Sequence, residues 1–312
     1  MKSERTAMLA LVGPTAIGKT ELSLAIAEKF SGEIIGVDSM QVYRYMDIGT
    51  AKPTLQERSR VPHYLIDVVD PDEDYSVGRY VEDAEQAIQL VVQNSHIPLL
   101  VGGTGMYLRG LLDGLTEFET ADPAVRERLK QRLAEKDGRQ QLYSELVRLD
   151  PESAARIHPN DSQRLLRALE IHLITGTPWS QHLKTGEKGK KLHNIVKIGL
   201  TCDRNVLFQR INKRVRQMME QGLEQEVRTL LARGYHGNLK SMQAIGYRHM
   251  INYLAGNWTL AKTMELLARD TRHYAKRQYT WFRSDPEITW FQPSERDGVF
   301  RAIEKFLHPV QS

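Results

Sequence analysis

The stretch Gly13-Pro14-Thr15-Ala16-Ile17-Gly18-Lys19-Thr20 decides the fold. It satisfies G-x-x-x-x-G-K-[ST] at every fixed position and stands between an apolar run (8–12) and a segment of helical periodicity (19–30). Strand, glycine loop and helix in that order make an anion cradle. The glycines let the backbone wrap an oxyanion, the loop N–H groups and the helix dipole bind it, Lys19 adds charge, and Thr20 can ligate Mg²⁺. A chance match somewhere in such a chain is a roughly 1-in-100 event, and the strand–loop–helix setting disfavours an ordinary turn further.

Outward from the loop, residues 33–37 read as a second short strand ending at Asp38. Residues 76–93 read as a helix, with Val77, Tyr80, Val81, Ala84, Ala87, Ile88 and Val91 at helical spacing, and 98–101 as a buried strand stopped by Gly102-Gly103. Strands alternating with helices predict a parallel, doubly wound sheet. Near Asp122 the pattern changes. Asp122-Pro123 and Asp150-Pro151 each look like an N-cap followed by proline at the first helical position, and Asp161 opens a helix that Gly176 and Pro178 end. A Gly/Lys-rich loop over 185–191 precedes an alternating strand over 194–200. The expected class is α/β: a P-loop NTPase-like parallel-sheet core over 1–118 and 193–312, the latter carrying basic C-terminal helices, with an inserted α-helical domain over 119–192.

No stretch approaches the run of about 18 apolar residues that a membrane span needs, and the first apolar run leads straight into the glycine loop, so a first strand is expected there and not a signal peptide. Cys202 is the only cysteine, which excludes an intrachain disulfide and a cysteine-built zinc site and fits a reducing, cytoplasmic location. Charge is unevenly spread. Residues 1–118 carry 10 Lys/Arg against 17 Asp/Glu, whereas 202–285 carry 15 against 7, a polarity that points to a polyanionic partner for the C-terminal part.

A P-loop shows that phosphates bind, not what happens to them, and most such proteins transfer or hydrolyse a γ-phosphoryl group. Three features count against that default. No apolar run ends in a late Walker-B aspartate, since Leu99-Leu100-Val101 runs into glycines. No lid-like arginine pair stands out. The strand after the P-loop helix ends in Asp38-Ser39-Met40-Gln41-Val42-Tyr43, polar groups at the sheet edge where open α/β folds bind ligands.

A series of motifs in order then resembles one family, the tRNA dimethylallyltransferases (isopentenyl-tRNA transferases) of bacterial type. They are GPTAIGKT (13–20), DSMQVYR (38–44), DIGTAKP (47–53), VGGTGMYLRGLLDGL (101–115), RIHPNDSQRLLRALE (156–170), QAIGYRHM (243–250) and TRHYAKRQYTWFR (271–283), spanning nearly the whole chain. The resemblance implies alkylation of the exocyclic N6 of an adenosine, A37 beside the anticodon, by dimethylallyl diphosphate with release of diphosphate. Gly13, Pro14, Thr15, Ala16, Ile17, Gly18, Lys19 and Thr20 would then grip the diphosphate of the donor, with Arg214 as an extra clamp and Mg²⁺ on Thr20 as cofactor. Lys19, Thr20 and Asp38 become the catalytic candidates, Asp38 as general base for the N6 proton. Thr104 would help position the adenine.

An anticodon-loop adenosine is stacked and must be flipped out to react, and its neighbours are read by backbone charge and stacking. The tRNA-contacting candidates are Asp38, Ser39, Met40, Gln41 and Thr104 at the sheet edge, and Arg126, Gln163, Arg164, Leu165, Leu166 and Arg167 in the insertion. Gln243, Ala244, Ile245, Gly246, Tyr247 and Arg248 join them, Gly246 allowing close backbone approach and Tyr247 and Arg248 able to stack. Lys276, Arg277, Gln278 and Arg283 complete the set. On a helix from about Ala268, Arg269, Arg272, Lys276 and Arg283 form one basic stripe, while Tyr274 and Trp281 fall on another face and read as core. The expected partners are tRNA and dimethylallyl diphosphate, with no membrane, for a monomer. Three rivals share some of these features: an adenylate isopentenyltransferase acting on free AMP or ATP, a P-loop small-molecule kinase, and a non-catalytic nucleotide-binding RNA protein. The basic C-terminal half and the helical insertion count against the first, because a free nucleotide needs neither.

Overall fold

Alternation along the first strand sets the layers. Met8, Ala10 and Val12 face one side of the sheet and Leu9 and Leu11 the other, and all five are fully buried, so helices must cover both faces. A computed structural model of the chain describes residues 6–114, 122–185 and 194–309. The elements in chain order are β1 (Ala7–Val12), α1 (Lys19–Phe30), β2 (Gly32–Val37), α2 (Leu55–Arg60), β3 (His63–Tyr64), α3 (Val77–Gln93), β4 (Ile97–Gly102) and α4 (Gly105–Asp113). There follow α5 (Pro123–Ala134), α6 (Gly138–Leu149), α7 (Pro151–Arg156), α8 (Ser162–Thr175) and α9 (Trp179–Thr185). The chain then returns as β5 (Asn194–Leu200), α10 (Arg204–Glu220), α11 (Leu223–Ala232), α12 (Tyr247–Leu254), α13 (Leu260–Phe282), β6 (Ile288–Phe291) and α14 (Arg296–Leu307).

The strands form one sheet in the order β3-β2-β4-β1-β5-β6, every pairing parallel. On one face α3 and α4 bury Tyr80, Ile88, Val91 and Leu111 against β1, β2 and β4; on the other α1, α10 and α14 bury Leu24, Ile26, Ile211, Val299 and Ile303. Each such side chain contributes about 1.5–3 kcal/mol by leaving water. A third apolar cluster joins Tyr43, Met46 and Val69 to α10, α11, α12 and α13 through Val215, Val227, Tyr247 and Leu267. The α/β expectation, with a P-loop-like parallel core, is borne out.

Two compact units result, one of Met1–Leu112 with Leu192–Ser312 and one of Asp113–Lys191. The predicted limits at 118/119 and 192/193, and the 186–191 stretch of the Gly/Lys-rich loop, lie outside the described residues. In the second unit α5 to α9 close over Leu129, Leu142, Leu146, Leu165 and Leu169. Its helices start where the acidic caps predict: Asp122 accepts from the N–H of Ala124, Asp150 from Ser153 and Asp161 from Arg164, and Pro123 and Pro151 occupy the first turns.

One element differs from expectation. The basic helix begins at Leu260, not near Ala268, because Thr259 caps it through the Lys262 N–H and Leu266 and Leu267 continue its buried face. The segment after Asp285 carries no motif, yet it supplies β6 and α14, which cover β5.

Candidate active site

The P-loop joins β1 to α1, and its shape follows from its residues. Gly18, at the N-cap of α1, has φ 106, a conformation that suits glycine. Lys19 folds over the loop and donates from Nζ to the carbonyls of Gly13 at 2.8 Å and Pro14 at 2.9 Å. Two distant side chains brace the loop. Arg210 of α10 donates to the Ile17 carbonyl at 2.8 Å, and Gln278 of α13 accepts the Thr15 N–H at 2.9 Å while donating to the Gly103 carbonyl at 3.0 Å. A Cβ on Gly103 would collide with the Gln278 amide, so glycine is what lets the two segments meet.

Asp38 follows β2 directly, at the carboxyl edge of the sheet beside the P-loop. Its Oδ1 accepts the N–H groups of Met40 at 2.9 Å and Gln41 at 3.4 Å, a turn that aims the carboxylate inward. Thr104, past the end of β4, accepts the Ser39 N–H at 3.0 Å through Oγ1. Tyr274 of α13 lies against Thr104 and Gln278 and feels the charge of Asp38.

Lys19, Asp38 and Arg214 share one electrostatic environment. Burial lowers Lys19 to about 8, opposed by Asp38 and reinforced by Arg214. Burial likewise raises the Asp38 carboxyl above its usual range, against the Met40 N–H, Lys19, the Gln41 N–H and Arg214. Arg214 is lowered by burial and partly restored by Asp38. Two cations and one carboxylate so placed leave a net positive site, which an anion would complete.

These groups line a cavity of about 770 Å³. It runs from the P-loop (Thr15 to Thr20) past Asp38, Ser39, Met40, Gln41 and Arg214 to Gln243, Ala244, Ile245, Arg248, Tyr274 and Arg277. Its wall at 48–53 is held by residues no motif chemistry pointed to. Glu226 of α11 accepts the N–H groups of Asp47, Ile48 and Gly49 and the Tyr247 hydroxyl. The buried Lys52 ammonium donates to the Tyr43 carbonyl and to Asp47 and Asp67. A single sequence shows Lys52 only as part of DIGTAKP, and Glu226 carries no local signal.

Several residues predicted to touch RNA take other roles. Tyr247 is fully buried with its hydroxyl on Glu226, so it cannot stack on a base. Gln278 is 5% exposed with its amide committed to Thr15 and Gly103, so it braces the P-loop and does not reach out. Leu165 is fully buried in the core of the helical unit, and Leu166 packs beside it. Gln41 donates from its side-chain amide to the Thr50 and Ala51 carbonyls and still lines the cavity. Trp281, read as core, is 40% exposed, its indole lying where a Cβ on Gly105 would be. Tyr274, also read as core, lines the cavity.

The basic stripe divides. Arg269 pairs with Asp270, and Arg272 donates to Asn212 at 2.8 Å and lies over the Phe208 ring. Of the stripe, Lys276 and Arg283 remain exposed, as does neighbouring Arg277, while Arg248 lines the cavity and pairs with Asp270. In the helical unit Gln163, Arg164 and Arg126 are exposed and Arg167 half-buried. Among the described residues no helix is long and apolar enough to cross a membrane.

Comparison with known proteins agrees with this geometry. Residues 41–285 match the family described as IPP transferase, and 6–72 match the one described as isopentenyl transferase. A tRNA dimethylallyltransferase of Desulfotalea psychrophila is 50% identical, the alignment covering 98% of each chain. The crystal structure of a tRNA isopentenylpyrophosphate transferase from Bacillus halodurans is 41% identical over 97% of each chain, with a TM-score of 0.72. A eukaryotic dimethylallyltransferase solved acting on tRNA is 29% identical over 98% of this chain and 81% of its own, with a TM-score of 0.83. Matched from the P-loop to the end of α13, and half-identical end to end to a curated relative, the chain belongs to the IPP transferase family of tRNA dimethylallyltransferases.

Proposed function

We propose that this chain transfers the dimethylallyl group of dimethylallyl diphosphate to N6 of adenosine 37 in tRNA, releasing diphosphate, and that it acts as a monomer in the cytoplasm. The observation that carries the reading is the placement of Asp38 in the same cavity as the P-loop and Arg214. A carboxylate that accepts a proton and an anion cradle that accepts a leaving group are the two things N6 alkylation by an allylic diphosphate requires.

The loop amides, Lys19 and Arg214 would hold the diphosphate. Thr20, at the start of α1 and on the cavity wall, is the protein ligand the chain offers to Mg²⁺, which characteristically takes few protein ligands and the rest from phosphate and water. When bound, the ion neutralises charge on the diphosphate. The N6 lone pair attacks C1 of the allyl group as the C1–O bond breaks, the electron pair leaves with the diphosphate, and the N6 proton passes to Asp38. Lys19 and Arg214 stabilise the leaving charge as it develops.

Reaching N6 requires the base to leave the anticodon stack. Arg248, Arg277, Gln243 and Ile245 line the same cavity and are the groups that would meet the flipped nucleotide. Exposed Lys276, Arg283, Arg126, Gln163 and Arg164 offer charge and donors to the RNA backbone. Nucleoside digestion of tRNA after incubation with donor and Mg²⁺ tests the reading: N6-alkylated adenosine is expected, and unaltered adenosine argues against it.

A further inference from the structure

His249, near the start of α12, is a histidine with its tautomer fixed by its neighbours. Its side chain is 1% exposed, and its Nδ1 lies 3.3 Å from the backbone nitrogen of Gly246, whose N–H can only donate. Nδ1 therefore accepts, so Nε2 carries the proton and donates to Oδ2 of Asp270 at 3.2 Å. Burial and Arg248 lower the imidazole's pKa against the opposing charge of Asp270, which favours the neutral ring that this bonding needs.

Asp270, on α13, ends that chain of bonds and begins another. Its Oδ1 accepts from Nε of Arg269 at 2.9 Å, and its Oδ2, besides His249, accepts from Nη2 of Arg248 at 2.7 Å. Burial would raise its carboxyl, but the hydrogen bonds from Arg269 and Arg248 outweigh it and hold the group below its usual range, so it is ionised. Of these four side chains, Arg248 is the one that lines the cavity. Its hydrogen bond to Asp270 uses one guanidinium nitrogen, and the side chain is still 40% exposed.

An ion pair with one partner this exposed contributes little to stability. What it supplies is geometry. A free arginine loses much rotamer freedom when a ligand fixes it, and a guanidinium already held in place loses less. Arg269 and His249 fix the carboxylate from two directions, and the carboxylate in turn fixes Arg248. Without Asp270, Arg248 would face the like charge of Arg269 with no anion between them.

We propose that Asp270 is a positioning residue for the nucleotide, holding the Arg248 guanidinium on the cavity wall where the flipped nucleotide meets it. The proposal rests on the tRNA reading above and deepens it: Asp270 and His249 act through Arg248 and touch no substrate themselves.

The test uses the full chain, dimethylallyl diphosphate with Mg²⁺ and an unmodified anticodon stem-loop, with KM measured for each substrate and folding followed by thermal melts. Asp270→Ala and Arg248→Ala are each expected to raise the stem-loop KM about tenfold and to leave the donor KM unchanged. The double variant should be no worse than Arg248→Ala, because the carboxylate acts through that arginine. Asp270→Asn keeps the size and one acceptor oxygen without the charge. It should melt close to wild type and still raise the stem-loop KM severalfold, which keeps the test intact if the alanine variant fails to fold. The role of Asp270 is overturned by an unchanged stem-loop KM in both Asp270 variants, by losses that add in full in the double variant, or by both KM values rising with a fall in Tm in both Asp270 variants. An unchanged stem-loop KM in Arg248→Ala overturns it too, by removing the contact. A wild-type chain that alkylates no stem-loop defeats the tRNA reading and the proposal with it, a result that no variant outcome mimics.

Discussion

Gln278 and Thr15 lie 263 positions apart in the chain, and the side chain of the first accepts the backbone N–H of the second at 2.9 Å. The same amide donates to the Gly103 carbonyl, so one residue of α13 ties the phosphate loop to the turn that carries Thr104. Replacing Gln278 with Ala leaves a buried donor and a buried acceptor unmatched, at a cost of about 1–3 kcal/mol. The expected result is a donor KM raised about tenfold with RNA affinity little changed, as steady-state kinetics at saturating tRNA would show. A selective loss of tRNA affinity would mean that Gln278 reaches the RNA after all.

The shared environment of Lys19 and Asp38 predicts a bell-shaped pH profile. Turnover needs Asp38 ionised and Lys19 protonated. Activity should therefore rise with pH through the Asp38 range, displaced by burial above ordinary carboxylates, and decline above about 8 as Lys19 loses its proton. Lys19→Arg, whose guanidinium does not titrate there, should lose the alkaline limb in donor kcat/KM even where its activity is lower. An alkaline limb that persists in that variant assigns it to another group.

The divided basic stripe predicts two different mutant behaviours on one helix. Lys276→Ala and Arg277→Ala should each weaken tRNA binding and reduce the salt slope by about 0.7–0.9 for every phosphate the native side chain neutralises. Arg272→Ala, which removes a hydrogen bond to Asn212 and the packing of its guanidinium on Phe208, should lower Tm and leave the salt slope alone. Equal slopes for all three variants would show that the stripe acts as one surface, or not at all.

Asp38→Asn separates chemistry from architecture. The asparagine oxygen can still accept from Met40 and Gln41, so the turn should survive while the base is lost. The expected fall in single-turnover rate is about 10²–10⁴-fold, with tRNA affinity nearly intact. Loss of binding together with rate would make Asp38 a recognition residue.

What could be read along the chain was local. The P-loop, the strand ending at Asp38 and the three acidic helix caps each announce themselves within a few residues, because turn and cap chemistry depends on immediate neighbours. Missed features depend on partners far away. Tyr247 looks like a stacking residue until Glu226 claims its hydroxyl, and Gln278 looks like an RNA ligand until Thr15 and Gly103 occupy it. Trp281 shows why helical periodicity alone misleads. It sits on a different face from the stripe, yet at the end of α13, where it lies over Gly105 and stays 40% exposed. The start of α13 was readable in principle, since Thr259 is an ordinary N-cap.

The most direct measurement is label transfer from radiolabelled dimethylallyl diphosphate, with Mg²⁺, into unmodified tRNA and into free AMP in parallel, alongside a check for ATP consumption. Label in tRNA and none in AMP is the predicted result. Label in AMP alone would make this a free-nucleotide enzyme, and no label with ATP consumed would mean that the P-loop serves phosphoryl transfer and contradict the assignment outright.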